Sequence, residues 1–214
     1  NTSKHVEVQG FCNMYVVKTG TGEGNVIIES TDKWYVGNVA NGQKINVFVC
    51  PGVTLKIPAN SENNLQANVD YYFAPGSELI CDNLKLNGTA IYMGASTTTT
   101  VSKLEVNNSG IFYNMGTANI TNDISVENSS STIVNDGTLN AANLLTKGSG
   151  RVQNNAELTI RNTTTINSNY NVWVNNGYYK TKNFEYTATS SSVINNCFLE
   201  VTENFFMHIA DGKG

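Results

Sequence analysis

The chain has 214 residues, of which 14% are charged and 40% are hydrophobic, and its formal net charge is −4. This composition argues against a disordered chain, and the charge gives no reason to expect nucleic acid or an acidic membrane surface as a partner. No apolar run approaches the roughly 20 residues of a membrane span, so the sequence predicts no transmembrane segment.

Residues 1–45 contain strand-like runs that do not share the spacing of the residues after them. Two of these runs, at 5–17 and 25–36, flank a glycine-rich segment that is typical of a flexible hairpin loop. We predict that 1–45 form an N-terminal β cap with irregular first coils. Residues 46–214 are predicted to form the main domain, which is expected to continue beyond residue 214.

The four cysteines show no CxxC motif and no metal-ligand spacing, so no metal site is predicted. They are Cys12, Cys50, Cys81 and Cys197. Each lies in or beside an apolar run, which predicts small buried hydrophobic side chains. A disulfide between Cys50 and Cys81 is left open.

From residue 73 onward the chain repeats a unit of about 20 residues, exemplified by TIVNDG at 132–137. Its asparagines are Asn114, Asn135, Asn154, Asn175 and Asn195, separated by 21, 19, 21 and 20 positions. Phe73 and Met93 hold the same place in the two earlier units. Apolar residues alternate with period two around each asparagine, and a further apolar pair follows, which indicates three short strands per unit.

Three short strands per unit without helical periodicity predict an all-β fold, a right-handed, single-stranded parallel β-helix. Its coils would stack about 4.8 Å apart, with backbone hydrogen bonds between coils. A left-handed hexapeptide helix needs strict six-residue steps, and leucine-rich repeats need leucines at fixed offsets. Neither pattern is present.

The repeated asparagine is expected at the corner between the first two strands of each coil. We expect it to tolerate left-handed backbone angles there. We also expect its inward side chain to bond the equivalent asparagines above and below, because a buried amide without partners is costly. The five asparagines are therefore predicted to form a structural ladder.

Several repeats have a recognisable form: VNNG at 174–177, INNC followed by LEVT and NFFM at 194–207, and HIADGKG at 208–214. Across residues 73–214 the chain resembles the asparagine-rich β-helical segments of secreted or surface-anchored Bacteroidetes proteins, some of which carry an LruC-type domain. The resemblance implies export and placement at the cell surface. It carries no functional residues, because the pattern of that family is structural.

The residue before each corner position is expected to face solvent, and on three consecutive units it is a tyrosine. These are Tyr72, Tyr92 and Tyr113, and the later units have Val134, Gln153, Val174 and Ile194. An aromatic ladder of this kind could stack on sugar rings or dock a neighbouring domain. The alternative is cross-coil packing that only stiffens the sheet.

Parallel β-helices also carry polysaccharide lyases and glycoside hydrolases, which need clustered acids and a base. Outward acids seldom fall on adjacent units here, and the only arginines are Arg151 and Arg161. His5 and His208 lie near opposite ends of the chain. No catalytic residue, metal or cofactor is therefore predicted.

The sequence thus favours a non-catalytic, extracellular or cell-surface module for adhesion, glycan contact or display. Its partner would be a glycan or another surface protein or domain. A carbohydrate-active enzyme is the first alternative, and a structural stalk is the second.

Overall fold

The computed structural model describes residues 12–16, 25–27, 44–57, 63–65, 68–128, 130–167 and 171–208. These ranges contain 21 strands and no helix. The strands are β1 (Cys12–Val16), β2 (Asn25–Ile27), β3 (Ile45–Val49), β4 (Thr54–Lys56), β5 (Asn63–Leu65), β6 (Val69–Phe73), β7 (Glu78–Asn87), β8 (Ala90–Met93), β9 (Thr98–Asn107), β10 (Ile111–Asn114), β11 (Thr117–Ile120), β12 (Asp123–Val126), β13 (Thr132–Asn135), β14 (Thr138–Ala141), β15 (Asn143–Thr146), β16 (Arg151–Asn154), β17 (Glu157–Ile166), β18 (Val172–Asn175), β19 (Tyr178–Tyr186), β20 (Ser192–Asn195) and β21 (Phe198–Met207).

Each coil runs along three faces, as β10, β11 and β12 show for one coil. First-face strands form a nine-stranded sheet, ordered β1-β3-β6-β8-β10-β13-β16-β18-β20, and the other two faces share a twelve-stranded sheet. The pairings join successive coils and are parallel. The protein is a β-solenoid of about 7 turns with about 20 residues per coil, which confirms the predicted stack of parallel coils.

Two strands within the segment 1–45 belong to these same sheets. β1 pairs in parallel with β3, and β2 pairs in parallel with β4. The rest of the segment, residues 1–11, 17–24 and 28–43, lies outside the described residues. The boundary near residue 45, and the cap, stay predictions.

The core is a set of inward columns in which equivalent residues stack from coil to coil. Phe112, Ile133, Val152 and Trp173 form one column, and each is at most 2% exposed. Full burial of such a side chain contributes about 1.5–3 kcal/mol, so the stacked coils supply the hydrophobic area that one coil lacks.

Differences in coil length fall partly at the corner between the second and third faces. The buried residues on either side of that corner are four positions apart in one coil, Ile120 and Ile124, and three apart in the next, Ala141 and Leu144. The β17–β19 pairing also shifts register there. The inward columns stay aligned although coil lengths differ.

None of the cysteines whose side chains the structure describes forms a disulfide: Cys81 is buried, Cys50 is half-buried and Cys197 is exposed. No disulfide therefore joins Cys50 to Cys81. The expectation of burial is right for Cys81 and wrong for Cys197, because Cys197 lies on the final described coil and none of the described strands covers it. The side chain of Cys12 lies outside the described residues.

Candidate functional site

The predicted asparagine ladder is present, and we call it the inner ladder. Its members are Asn114, Asn135, Asn154, Asn175 and Asn195. The Nδ2 of each of the first four donates to the Oδ1 of the next asparagine, at 2.9 Å for the first step and 2.8 Å for the other three. The first four side chains are at most 1% exposed, so these amides are paired where water does not reach.

The first four amides of the inner ladder also bond the backbone of their own corner and of the next coil, and Asn195 bonds that of its own corner. The Nδ2 of Asn135 lies 3.0 Å from the carbonyl oxygen of Gly137 and 2.8 Å from that of Glu157. Asn154 repeats the arrangement with Ala156 and Tyr178. The carbonyl oxygen of Gly137 also accepts from the backbone N–H of Glu157 at 3.0 Å, so the ladder adds side-chain hydrogen bonds to a corner whose backbone is already paired between coils.

The expectation of left-handed backbone angles at these asparagines is wrong. Each of them ends a strand of the first face, and none has positive φ. Positive φ occurs instead at other turns, including Asn108 with 46° and Asn128 with 67°, after the third strand of a coil. The inner-ladder asparagine is required for its side-chain hydrogen bonds and not for its backbone freedom.

A small residue two positions after the ladder asparagine lets successive corners approach closely. A Cβ atom on Gly177 would lie 2.2 Å from the carbonyl oxygen of Ala156 on the preceding coil. The contact is with backbone, so the coils would have to separate.

We expect Gly177→Ala to lower the free energy of unfolding by about 2 kcal/mol through overpacking. Chemical denaturation followed by far-UV circular dichroism measures this change. Ala156→Gly, the reverse change one coil earlier, should cost less than about 1 kcal/mol. An unchanged stability of Gly177→Ala would show that the corner has room for a methyl group.

A second polar ladder, the outer ladder, lies one residue beyond the inner one. It consists of Asp136, Asn155, Asn176 and Asn196. The side-chain amide of each asparagine donates a hydrogen bond to the residue before it in the ladder, at 2.6, 2.8 and 2.8 Å. The hydroxyl of Tyr113 donates to Asp136, and this bond raises the pKa of Tyr113. Sequence reasoning missed this ladder, although the repeated Asn-Asn and Asn-Asp pairs signal it.

The tyrosines proposed as an outward stripe do stack across coils, and Phe48 extends them. We call Phe48, Tyr72, Tyr92 and Tyr113 the aromatic stripe. Ring centroids are 5.1 Å apart for Phe48 and Tyr72, and 5.0 Å apart with an interplanar angle of 8° for Tyr72 and Tyr92. Periodicity does not reveal Phe48, because it precedes Tyr72 by 24 residues, outside the 19–21 spacing.

Stacking has a consequence for what the stripe offers to a ligand. Parallel neighbouring rings cover each other's faces, so Tyr72 presents mainly its edge and hydroxyl to solvent, and the stripe side chains are half-buried. Tyr113 differs, because its ring tilts by 46° from Tyr92 at a centroid distance of 6.2 Å. An aromatic face therefore opens between Tyr92 and Tyr113.

This opening, which we call the wedge, adjoins a shallow depression of about 280 Å³. The residues that line the depression are Tyr72, Phe73, Tyr92, Met93, Gly94, Tyr113 and Met115. Met115 is 46% exposed, and it is the one exposed large hydrophobic residue that the described ranges contain before residue 194. An apolar floor with aromatic walls is the composition of a small ligand site.

The third face has a polar cavity of about 410 Å³. Two of its carboxylates bond side chains of the next coil. Lys147 lies 3.0 Å from Glu127, and Asn143 donates to Asp123 at 2.8 Å. Partial burial opposes ionisation of Glu127, but the hydrogen bond and charge of Lys147 lower its pKa. These side chains therefore link neighbouring coils on the third face.

The two arginines donate hydrogen bonds to other groups of the chain. Arg161 donates to the carbonyl oxygen of Thr121 at 2.5 Å, and Arg151 donates to Gln153 at 2.7 Å. His208 is exposed near the end of the described chain, and His5 lies outside it. Within the ranges that the structure describes, no three His, Cys, Asp or Glu side chains are grouped to hold a metal ion. The same ranges contain no helix able to cross a membrane.

Comparison with protein-family models, with curated proteins and with solved structures finds no match to this chain. The resemblance to Bacteroidetes surface proteins therefore stays a prediction.

Proposed function

We propose that this β-solenoid is a non-catalytic binding module that contacts a glycan at the wedge between Tyr92 and Tyr113. The proposal rests mainly on one observation, the tilt of Tyr113 that leaves an aromatic face beside the exposed Met115. Sugar rings present apolar faces that pack on aromatic rings, while their hydroxyls need polar neighbours. The outer ladder, which begins where Tyr113 meets Asp136, supplies carboxylate and amide groups beside the wedge.

The pairing of polar groups on the outer surface supports a non-catalytic role. Lys85 and Glu105 on consecutive coils are 2.7 Å apart, and Lys180 and Glu200 are 2.9 Å apart. Hydrogen bonds from Tyr178 and Lys180 lower the pKa of Glu200. Each of these carboxylates is thus tied to a lysine of the neighbouring coil, as in a surface built for rigidity.

Placement outside the cell or at its surface belongs to the same proposal. It is supported by the resemblance of residues 73–214 to surface-anchored segments, and by a rigid shape suited to display. About 7 turns at a strand spacing of roughly 4.8 Å give a rod about 34 Å long. The glycan contact would lie on the side of that rod.

The test is binding of the full chain to an array of plant, host and bacterial glycans, followed by calorimetry with the strongest ligand. Tyr113→Ala combined with Met115→Ala is expected to weaken binding by about tenfold or more, because it removes the exposed face and the apolar floor.

Phe48→Ala is the matched control, because it removes a ring of the same stripe two coils from Tyr92. It should leave glycan affinity unchanged. Failure to bind any glycan on the array contradicts the proposed function. Binding that survives the double substitution keeps the function but removes the wedge as its site.

A further inference from the structure

The polar cavity on the third face lies across β12, β15 and the second half of β17, near the middle of the solenoid. We call it the third-face cavity, and its lining includes Lys103, Asp123, Ser125, Asn143 and Leu145. Its volume of about 410 Å³ is within the range of ligand pockets and exceeds that of the depression at the wedge. The two share no residue, so the third-face cavity is a separate candidate site.

Ser125 forms the floor of the third-face cavity because it is the short residue of its column. Ile124 and Val126 on either side of it are fully buried in the core, so Ser125 points outward. Along its outward column it lies between Glu105 on the preceding coil and Leu145 on the next. Both of those side chains are longer, so a hollow is left above the serine.

The hydroxyl of Ser125 is buried without a partner. The residue is 5% exposed, and no atom of the described chain lies within hydrogen-bond distance of its Oγ. Glu127 is nearby: burial opposes ionisation of its carboxyl, and Lys147 and this hydroxyl lower its pKa, but the serine is too far from it to bond. A buried hydroxyl without a partner is costly, so a ligand that supplies the partner is favoured.

The walls of the third-face cavity are held in place by bonds between coils. Asn143 donates to Asp123 at 2.8 Å and accepts from the backbone N–H of Thr163 at 3.3 Å. Lys147 lies 3.0 Å from Glu127. Polar groups that are already fixed lose little freedom when a ligand binds, so the lining is preorganised.

The charges of the lining indicate which class of ligand fits. Two lysines, Lys103 and Lys147, are balanced by two acids, Asp123 and Glu127. Balanced charges give no net attraction for a phosphate, a sulfate or a uronate. The lining offers ammonium and amide donors together with carboxylate acceptors, which suits a neutral ligand whose hydroxyls both donate and accept. Half-buried Leu145 adds an apolar surface among them.

We propose that the third-face cavity binds one neutral sugar unit and gives the module a second saccharide site. The hydroxyl of Ser125 bonds a sugar hydroxyl at the floor, Asp123 and Asn143 bond others, and Leu145 packs against the ring. The inference rests on the proposed function for the class of ligand. Ser125 on β12 and Tyr113 on β10 belong to different faces of one coil, so a single copy can hold two glycan chains.

Titration of the isotope-labelled full chain with neutral monosaccharides, followed through the backbone amide shifts in NMR spectra, tests the site. The probes are glucose, galactose, mannose, xylose and N-acetylglucosamine. At least one of them is expected to shift the amide of Asn143 in a saturable way. One sugar unit makes few contacts, so its affinity should be weaker than that of a chain at the wedge. The uronate of each hexose is the matched probe, and it should bind no more tightly than the hexose.

Substitutions of Ser125 connect the shift changes to the floor of the cavity. Ser125→Leu fills the floor with the side chain that its column holds on the next coil, so it is expected to fold and to raise the dissociation constant by about tenfold or more. Ser125→Ala keeps the space and removes one hydrogen bond, which should raise it about fivefold. Thr117→Leu, at an exposed position on the second face of the same coil, is the control and should change nothing. Circular dichroism melting checks that the variants fold.

The wedge variant separates this site from the first one. Tyr113→Ala combined with Met115→Ala should leave the shift changes at Asn143 intact. Shift changes confined to the amides around the wedge would keep the proposed function and overturn the second site. The second site is also overturned if no neutral probe shifts the third face, if those shifts persist in Ser125→Leu, or if a uronate binds about tenfold more tightly than its hexose. Shift changes on the third face alone would support the second site and leave the wedge without support.

Discussion

Asn154→Ala is expected to lower the free energy of unfolding by about 4 kcal/mol. The substitution removes the donor to Asn175 and to the carbonyl oxygen of Tyr178, at 2.8 and 2.9 Å. It also leaves the Nδ2 of Asn135 without its acceptor at 2.8 Å. Each buried polar group left unpaired costs about 1–3 kcal/mol, and several are affected together.

Chemical denaturation monitored by far-UV circular dichroism measures this loss, and Asn155→Ala is the matched control. Asn155 is the next residue and belongs to the half-buried outer ladder, where water replaces lost partners. Its substitution should cost less than about 1 kcal/mol. Asn154→Asp should be as harmful as alanine, because a carboxylate cannot donate to Asn175 and would be buried as a charge. Equal, small effects at 154 and 155 would show that the inner ladder adds little stability.

Trp173→Ala is expected to cost about 4 kcal/mol of unfolding free energy. Trp173 is fully buried and contacts two other aromatic rings edge to face, Tyr179 at 4.9 Å and Phe184 at 5.5 Å between centroids. These rings come from the other two faces of the same coil, so the indole joins all three. Alanine would leave a cavity that rigid strands cannot close.

Two substitutions define the cause of that loss. Trp173→Phe keeps a ring in the core and removes an indole N–H that has no hydrogen-bond acceptor, so it should cost much less than alanine. Val174→Ala changes the neighbouring outward position and should cost under about 1 kcal/mol. Denaturant midpoints read by circular dichroism separate the three variants. A phenylalanine variant as unstable as the alanine variant would mean that ring packing is not the source of the stability.

The repeat in the sequence was enough to predict the coils and the inner ladder. Period-two alternation around Asn114 and its equivalents identifies the inward side chains, and in parallel stacking the same residue type necessarily meets itself on the next coil. The backbone angles at these asparagines could not be predicted in this way. Asparagine is common both at positions with left-handed backbone angles and at positions where its side chain pairs with another amide. The residue type alone does not show which of the two reasons applies.

The candidate binding site was predictable only in part. The spacing of Tyr72, Tyr92 and Tyr113 predicts that the rings are neighbours, but not whether they show faces or edges. That depends on side-chain torsions set by local packing, including the bond from Tyr113 to Asp136. Phe48 escaped notice because its coil is longer than the coils that follow it, and periodicity detects only units of similar length.

The corner between the second and third faces has a consequence for how such a chain can change length over time. A residue gained or lost there, as between Ala141 and Leu144, leaves every later column in phase. The step from each ladder asparagine to the following strand is constant, as from Asn135 to Thr138, and a single insertion there would turn inward side chains outward. Insertions and deletions should therefore accumulate at the corner between the second and third faces and be rejected at the corner that carries the inner ladder.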